Sequence, residues 1–326
     1  MTDYSLLHAV NLALKRAMRD DSRVVVFGED VGVDGGVFRA TDGLLQSFGA
    51  DRVLDTPLAE TVIAGLAIGL AAQGFRPVAE IQFMGFIYAT LDQMVNHASR
   101  LRSRTRGRLS CPMVLRAPFG GGIRAPEHHS ESTESMFAHI PGLRVVVPSS
   151  PRRAYGLLLA AIRDPDPVVF LEPKRLYRSV REAFEDDGQA LALDRCQVIR
   201  SGEDITFITW GAMIAEALMA ADTLAAEGVG VEVIDVATLK PLDAETILAS
   251  VARTGRAVII HEAAITAGFG AEIAARIAAD GLFDLKAPVV RVAGFDTVMP
   301  LPRLEHHYLP DAARVVHAAR EVLEYG

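Results

Sequence analysis

Two patterns of apolar residues alternate along the chain. Short runs rich in β-branched residues are typical of buried parallel strands, whereas apolar residues spaced three and four apart indicate amphipathic helices. Helical spacing predicts helices at 6–17, 60–73, 91–101 and 152–162. Between them, apolar runs predict strands at 23–28, 52–54, 77–82, 113–116, 144–147 and 168–172. Strands that alternate with helices predict an α/β fold with a mostly parallel sheet.

The pattern weakens into charged, irregular sequence at about 177–204 and then resumes. The second half predicts strands at 204–210, 230–235, 257–261 and 289–292, and helices at 212–227, 243–253 and 271–279. A length of 326 residues accommodates about two domains. We therefore expect a first α/β domain at 1–180, a linker at 181–203 and a smaller α/β domain at 204–326.

Composition limits the class of protein. Half of the residues are apolar and 23% are charged, which excludes a disordered or collagen-like chain. The net charge of −8 argues against a nucleic-acid-binding protein. Only the segment 100–108 is locally basic, and it is interpreted as a solvated or partner-facing loop.

The cysteines and the apolar stretches bear on location. Cys111 and Cys196 form no CxxC pair, which favours a reducing, cytoplasmic setting. The first 20 residues have the spacing of an amphipathic helix rather than of a secretory leader. The most apolar stretch, 62–72, is shorter than the roughly 20 residues that a membrane-spanning helix needs. We therefore predict a cytoplasmic protein without a membrane span.

Several common catalytic motifs are absent from the sequence. No lysine precedes Ser or Thr, so there is no Walker A loop, and there is no GxSxG or HExxH motif. Gly268 and Gly270 open a predicted helix but lack the third glycine of a dinucleotide-binding fingerprint, which leaves a nicotinamide dehydrogenase unsupported. The adjacent pair His128 and His129 is a weak metal-binding pattern because successive side chains diverge.

Glu60 stands where a predicted strand leads into a predicted helix. A carboxylate at this place is either an acid favoured by the helix dipole or a ligand-binding group at the carboxyl edge of a parallel sheet. Both interpretations put Glu60 at the same position, so the position does not decide between them.

A second candidate segment follows the predicted strand 113–116. Its three consecutive glycines, 120–122, relax backbone limits and permit close approach to a ligand. His128 and His129 follow, and a loop histidine either transfers protons near neutral pH or is merely exposed.

These stretches resemble the beta subunit of thiamine-diphosphate-dependent 2-oxo acid dehydrogenases, the decarboxylating components of the pyruvate, branched-chain 2-oxo acid and acetoin dehydrogenase complexes. In the first half the matching stretches are GEDVG (28–32), GGVFRATDGL (35–44), DTPLAE (55–60), PVAEIQF (77–83), LDQMVN (91–96), HHSES (128–132), PGLRVVVPS (141–149) and RDPDPVVFLEPKRLYR (163–178). In the second half they are KPLDAETIL (240–248), HEA (261–263) and GFGAEIA (268–274).

The resemblance covers nearly the whole chain and implies a fold and a division of labour. The fold is transketolase-like, with a pyrimidine-binding domain followed by a transketolase C-terminal domain. The cofactor lies between subunits: an alpha subunit binds Mg²⁺ and the diphosphate, and the beta subunit binds the aminopyrimidine. This chain lacks the GDG motif of the diphosphate site. We therefore expect half of an active site in an α2β2 heterotetramer.

The resemblance also implies roles for single residues. Glu60 faces the pyrimidine ring and favours the imino tautomer that removes the thiazolium proton. Leu58 and Phe86 line the ring with apolar surface, and Gln82 adds a hydrogen bond. His129 orients or protonates the cofactor-bound intermediate and assists acyl transfer to a lipoyl group. Some relatives carry tyrosine at the place of Phe86, so that polar contact is absent here.

A monovalent cation, K⁺ for example, is a further implication. The family holds it largely by main-chain carbonyls, and the matching positions are Met113, Ala161, Ile162, Asp164 and Asp166.

The predicted function is oxidative decarboxylation of a 2-oxo acid, with acyl transfer to the lipoyl group of an acyltransferase core. Pyruvate, branched-chain acids and acetoin are not separated by these residues. The alternatives are an acetoin dehydrogenase beta subunit, a half-chain of a transketolase-like or deoxyxylulose-phosphate-synthase-like enzyme, and a non-catalytic interaction subunit. Retention of both Glu60 and His129 argues against the last.

Overall fold

A computed structural model describes residues 2–325. The chain divides into two compact units. The first comprises residues up to 119 together with 136–193, and the second comprises 120–135 together with the residues from 194 onward.

The first unit is built on six parallel strands in the order β6-β7-β5-β4-β2-β3. Its strands are β1 (Thr2–Ser5), β2 (Val24–Gly28), β3 (Val53–Asp55), β4 (Arg76–Glu80), β5 (Val114–Phe119), β6 (Arg144–Val146), β7 (Val168–Pro173) and β8 (Arg181–Phe184). Its helices are α1 (Leu6–Asp20), α2 (Leu44–Phe48), α3 (Glu60–Ala72), α4 (Leu91–Asn96), α5 (Leu101–Arg104), α6 (Glu134–His139, which begins at the boundary of the units) and α7 (Pro151–Arg163). Three 3₁₀ helices lie in this unit, at Met84–Thr90, Ala98–Arg100 and Lys174–Leu176, and a further one, Glu127–His129, lies in the second unit.

Helices α1 and α7 pack against each other. Each begins at a serine whose hydroxyl accepts a main-chain N–H two or three residues into the helix, Ser5 from His8 and Ser150 from Arg153. Each buries one apolar face, as their helical spacing requires.

The second unit contains a five-stranded sheet in the order β14-β13-β10-β11-β9, in which only β9 is antiparallel. Its strands are β9 (Gln197–Arg200), β10 (Ile205–Thr209), β11 (Val231–Asp235), β12 (Thr238–Lys240), β13 (Ala257–Ala264) and β14 (Val290–Gly294). Its helices are α8 (Met213–Ala225), α9 (Ala244–Thr254), α10 (Gly270–Asp280), α11 (Glu305–Tyr308) and α12 (Ala312–Leu323), with a 3₁₀ helix at Leu282–Asp284.

The predicted two-unit α/β architecture with mostly parallel sheets is confirmed, and the predicted strands match observed ones to within a few residues. The helix predicted at 91–101 is wrong beyond Asn96. There the chain leaves α-helical geometry at His97 and continues as a 3₁₀ turn, and the Asn96 carbonyl accepts from the Arg104 side chain.

The segment predicted to be irregular contains two strands. Strand β8 pairs antiparallel with β1, and β9 pairs with β11. Both are short and half-exposed, with polar residues on both faces, so they lack a clear period-2 apolar signal. Within residues 2–325, no helix is long and apolar enough to cross a membrane.

Candidate active site

Three neighbouring strands of the first unit end at one edge of its sheet. Gly28, the last residue of β2, is in register with Asp55 of β3 and with Glu80 of β4. The strands are parallel, so the residues that follow them share the carboxyl edge, where open α/β sheets bind ligands. Glu29, Glu60 and Gln82 therefore come from three different connections to one place.

Asp55 holds the loop that follows β2. Its carboxylate accepts the N–H of Gly32 at 2.6 Å and that of Val33 at 3.1 Å. The Thr41 hydroxyl donates to the Val31 carbonyl at 2.7 Å. These contacts fix the GEDVG segment beside the ends of the strands.

Glu60 is the first residue of α3. Ala59 precedes it as the cap and offers no side-chain hydrogen bond, and Glu60 is half-buried. The carboxylate is thus placed favourably at the positive end of the helix dipole.

Glu29 is a site residue that the sequence interpretation missed. Its side chain is buried, and its Oε1 atom has no hydrogen-bond partner among residues 2–325. Burial raises the pKa of Glu29, and the negative charges of Glu60 and Asp30 raise it further. Its place directly after β2, within GEDVG, gave no sign of this burial or of the nearby charge of Glu60.

The three predicted ring-lining residues differ in their surroundings. The Gln82 amide donates to the Glu29 carbonyl at 3.3 Å and to Asp30 at 2.8 Å, so Gln82 and Glu60 both lie next to the GEDVG loop. Phe86 lies in the 3₁₀ helix Met84–Thr90 and meets Phe83 edge to face at 6.1 Å. Leu58 is 81% exposed, so its apolar surface is free in this chain.

A buried ionic network lies under this edge. Arg116 binds Glu172 through two hydrogen bonds of 2.7 and 3.0 Å and donates to Glu80 at 2.8 Å. The Tyr177 hydroxyl also donates to Glu172, at 2.7 Å. Burial raises the pKa of Glu80, and Arg116 opposes that effect. The network links Glu80 at the end of β4, Arg116 in β5 and Glu172 near the end of β7.

His129 belongs to the second unit, in the 3₁₀ helix Glu127–His129. Its main-chain N–H donates to the Pro126 carbonyl at 3.0 Å. His129 is half-buried, whereas His128 is exposed. In the described part of the chain, no group of three or more His, Cys, Asp or Glu side chains is arranged to hold a metal ion.

The second unit also buries titratable groups that the sequence interpretation did not single out. Burial raises the pKa of Glu134 to about 7, and the charge of Glu262 adds to the shift. Burial lowers the pKa of His261 to about 4, and its ring stacks on Trp210 with centroids 5.4 Å apart. At pH 7 Glu134 is therefore about half protonated, whereas His261 is neutral.

Several carbonyls at the five positions predicted to hold a monovalent cation accept hydrogen bonds. The Arg76 guanidinium donates to the Ile162 carbonyl at 2.8 Å and to the Asp164 carbonyl at 3.3 Å. Asp164 and Asp166 pair with Arg144 and Arg102, respectively. The Met113 carbonyl accepts the Val168 N–H, and the Ala161 carbonyl that of Asp164. Arginine side chains thus already supply positive charge here.

Comparison with known proteins agrees with this architecture. Residues 3–180 match the family model "Transketolase, pyrimidine binding domain", and residues 194–315 match "Transketolase, C-terminal domain". A solved structure titled "Split gene transketolase, inactive beta4 tetramer" has the same fold, with a TM-score of 0.82, 24% identity and 99% of each chain covered.

Similarity in sequence extends over the full length. The chain is 49% identical to the pyruvate dehydrogenase E1 component subunit beta of Bacillus subtilis, and 47% identical to that of Staphylococcus epidermidis. The same-named subunit of Staphylococcus aureus is 46% identical. Each comparison covers 325 residues and 100% of both chains. The chain therefore belongs to the family of beta subunits of thiamine-diphosphate-dependent 2-oxo acid dehydrogenases, with the transketolase-like fold of that family.

Proposed function

We propose that this chain forms the aminopyrimidine half of the active site of a pyruvate dehydrogenase E1 component. The observation that carries the proposal is the pair of carboxyl groups, Glu29 and Glu60, at the carboxyl edge of the first sheet. Pyruvate is favoured as the substrate because the relatives that match over the full length carry that name.

The residues at this edge fit an aminopyrimidine. A ring of this kind needs a carboxylate for its nitrogen, acceptors for its amine and apolar surface for its faces. Glu60 would supply the first, and Leu58 and Phe86 the last. The Oε1 atom of Glu29 is an acceptor that has no donor among residues 2–325. Thiamine diphosphate, when bound, supplies an acidic carbon–hydrogen bond and an electron sink for decarboxylation.

Glu60 acts in this proposal as a proton-exchanging group. It is half-buried and is the first residue of α3, directly after the connection from β3. The neighbouring Glu29 carboxyl has a raised pKa, to which the charge of Glu60 contributes, so the two carboxyl groups lie close enough to influence each other. Gln82 would bind a polar atom of the ring or keep the loop that carries Glu29 in place.

His129 is proposed to act on the substrate-derived part of the reaction. An imidazole is a side chain that can transfer protons near neutral pH. The turn formed by Pro126 and His129 holds the residue that bears it. We propose that His129 orients or protonates the intermediate and assists acyl transfer to the lipoyl group.

The other half of the site is proposed to come from an alpha subunit, which would bind Mg²⁺ and the diphosphate. We propose an α2β2 heterotetramer. Helix α3 supports an assembly because Val62 and Leu66 are 60% and 41% exposed on it, and Gly69 faces open space. Exposed apolar side chains on a helix otherwise covered by its own sheet favour a protein partner.

Two further proposals concern the setting. The C-terminal unit would dock onto a lipoyl acyltransferase core, as the family resemblance implies, and the assembly would work in the cytoplasm. A K⁺ ion held mainly by main-chain carbonyls at Met113, Ala161, Ile162, Asp164 and Asp166 is also proposed; the Ile162 and Asp164 carbonyls accept from Arg76, and each keeps a second lone pair.

Reconstitution tests the proposed function. The purified chain alone should not decarboxylate pyruvate and should bind thiamine diphosphate weakly, whereas the chain combined with its alpha subunit should do both in the presence of Mg²⁺. Branched-chain 2-oxo acids and acetoin serve as competing substrates. Full turnover by the chain alone, or a reconstituted pair that prefers another substrate, would overturn the proposal.

A further inference from the structure

The glycine-rich segment that leads to His129 is a closed loop, residues 120–131. The Gly120 N–H donates to the Glu131 carbonyl at 3.1 Å, which joins the two ends. Within the loop, Gly120, Gly122 and Arg124 all have positive φ angles, of 77°, 91° and 59°. Left-handed residues interspersed in this way turn successive main-chain N–H groups towards a common side.

A buried carboxylate occupies that side. Glu305, the first residue of α11, accepts the Gly122 N–H on Oε1 at 2.7 Å and the Arg124 N–H on Oε2 at 3.0 Å. Its side chain is 5% exposed, and it has no ion-pair partner among the described residues. The negative charge is therefore stabilised by loop amides rather than by a basic side chain.

A second carboxylate binds the preceding amide. Glu262 of β13 accepts the Gly121 N–H at 3.0 Å. A Cβ atom on Gly120 would lie 2.4 Å from Glu262, and one on Gly121 would lie 3.3 Å from Glu305. A side chain at Gly120 would therefore collide with the carboxylate that binds the next amide, and its φ of 77° also favours glycine at this position.

Only a few residues separate the Glu305 hydrogen bonds from His129. Arg124 is two residues before Pro126, and the Pro126 carbonyl accepts both the His129 N–H at 3.0 Å and the Ser130 hydroxyl at 3.2 Å. Proline fixes its own φ and restricts the residue before it. A shift of Arg124 would therefore be passed on to the turn that carries the imidazole.

We propose that Glu305 is a positioning residue for His129, because its carboxylate holds loop 120–131 in the conformation that presents the imidazole. This role rests on the proposed function of His129. Glu262 supports the same loop at Gly121, but it also influences the pKa of Glu134, so Glu305 is the cleaner position to test.

Hydrogen–deuterium exchange tests, independently of activity, whether Glu305 holds loop 120–131. In the enzyme reconstituted with its alpha subunit, Glu305→Ala should expose the amides of loop 120–131 to faster exchange. Glu305→Gln keeps the shape but turns an N–H₂ group towards one loop amide, so its exchange should be intermediate. Glu321→Gln, on the exposed face of α12, is the matched control and should exchange like the parent enzyme. Unchanged loop exchange in Glu305→Ala would overturn the proposal.

Turnover measures the positioning role. Glu305→Ala should lower lipoyl-dependent turnover by up to about 10²-fold, the loss expected when a reacting group is misplaced by about 1 Å. Exchange of the thiazolium proton, which depends on Glu60, should stay unchanged. In the double variant with His129→Ala, turnover should fall no further than in His129→Ala alone, because the two residues act through one group.

These outcomes distinguish the function proposed for His129 from the positioning role proposed for Glu305. Normal turnover in His129→Ala would overturn the function proposed for His129 and with it the role of Glu305, even if loop exchange is faster. Additive losses in the double variant, or an equal loss of thiazolium exchange in Glu305→Ala, would show a general structural effect and overturn the positioning role alone.

Discussion

Arg116 and Glu172 form a buried ion pair in which both guanidinium-to-carboxylate hydrogen bonds are short, at 2.7 and 3.0 Å. Arg116 is 1% exposed and Glu172 is fully buried. Arg116 also donates a hydrogen bond to the Glu80 carboxylate. Removal of Arg116 would therefore leave the carboxylates of Glu80 and Glu172 in the core without this cation.

Arg116→Met should therefore destabilise the protein by about 3–5 kcal/mol, as measured by denaturant unfolding. Arg276→Met, which breaks the exposed pair with Glu272 on α10, should cost less than about 1 kcal/mol. Addition of Glu172→Gln to Arg116→Met should recover part of the loss. Equal stabilities of the Arg116 and Arg276 variants would contradict this account of the network.

The raised pKa of Glu134 predicts that the free energy of unfolding depends on pH. Its pKa is raised from 4.5 to about 7 in the folded protein, so the folded state keeps a proton that the unfolded chain releases between these values. Stability from this group is therefore highest below pH 4.5 and falls as pH rises towards 7, by an amount on the order of 3 kcal/mol.

Glu134→Gln should remove this dependence. The variant should have a higher unfolding midpoint than the parent at pH 8 and a similar midpoint at pH 4.5, while Glu245→Gln at an exposed position should match the parent at both. A variant that is less stable than the parent at pH 8 would show that the ionised carboxylate is needed.

A substitution at Gly69 distinguishes an effect on assembly from an effect on folding. A Cβ atom at this position meets no other atom within 4 Å, so a leucine fits the isolated chain. If α3 packs closely against another subunit, Gly69→Leu should abolish the tetramer while the unfolding midpoint of the chain is kept or rises. The control is Ala278→Leu, on an exposed position of α10. An unchanged oligomer mass for Gly69→Leu would place the interface elsewhere.

Docking to the acyltransferase core should depend on salt. The chain carries a net charge of −8, and contacts between oppositely charged surfaces weaken as the Debye length shortens. Affinity measured by calorimetry should fall between 0.05 and 0.5 M salt, on the order of tenfold or more. Equal affinities at both concentrations would exclude an electrostatic contact.

Sequence patterns predicted the parts of the fold in which burial is periodic. The parallel strands β2, β4, β5 and β7 are almost wholly buried and gave clear apolar runs. Strands β8 and β9 are short and half-exposed, so they gave no clear apolar pattern. The helix at 91–96 ends where the Arg104 side chain binds its last carbonyl, a contact that the apolar spacing does not show.

The candidate site was predictable only in part. Glu60 was identifiable from its place after a strand and from family resemblance. Glu29 was not, because its importance comes from burial and from the nearby charge of Glu60, which adjacent strands bring together. Glu305 lies more than 180 residues from the loop amides that it binds, and no local pattern joins them.

The central claim is that Glu60 exchanges the proton that activates the bound cofactor. Glu60→Gln keeps the size and a hydrogen-bonding group of the side chain but cannot exchange that proton. The direct measurement is hydrogen–deuterium exchange at the thiazolium carbon in the enzyme reconstituted with its alpha subunit, with His129→Ala as the matched variant. Glu60→Gln should slow this exchange by roughly 10²- to 10⁴-fold, whereas His129→Ala should exchange normally and lose lipoyl-dependent turnover. Exchange at the normal rate in Glu60→Gln would contradict the account and leave Glu60 as an acid that merely favours the start of α3.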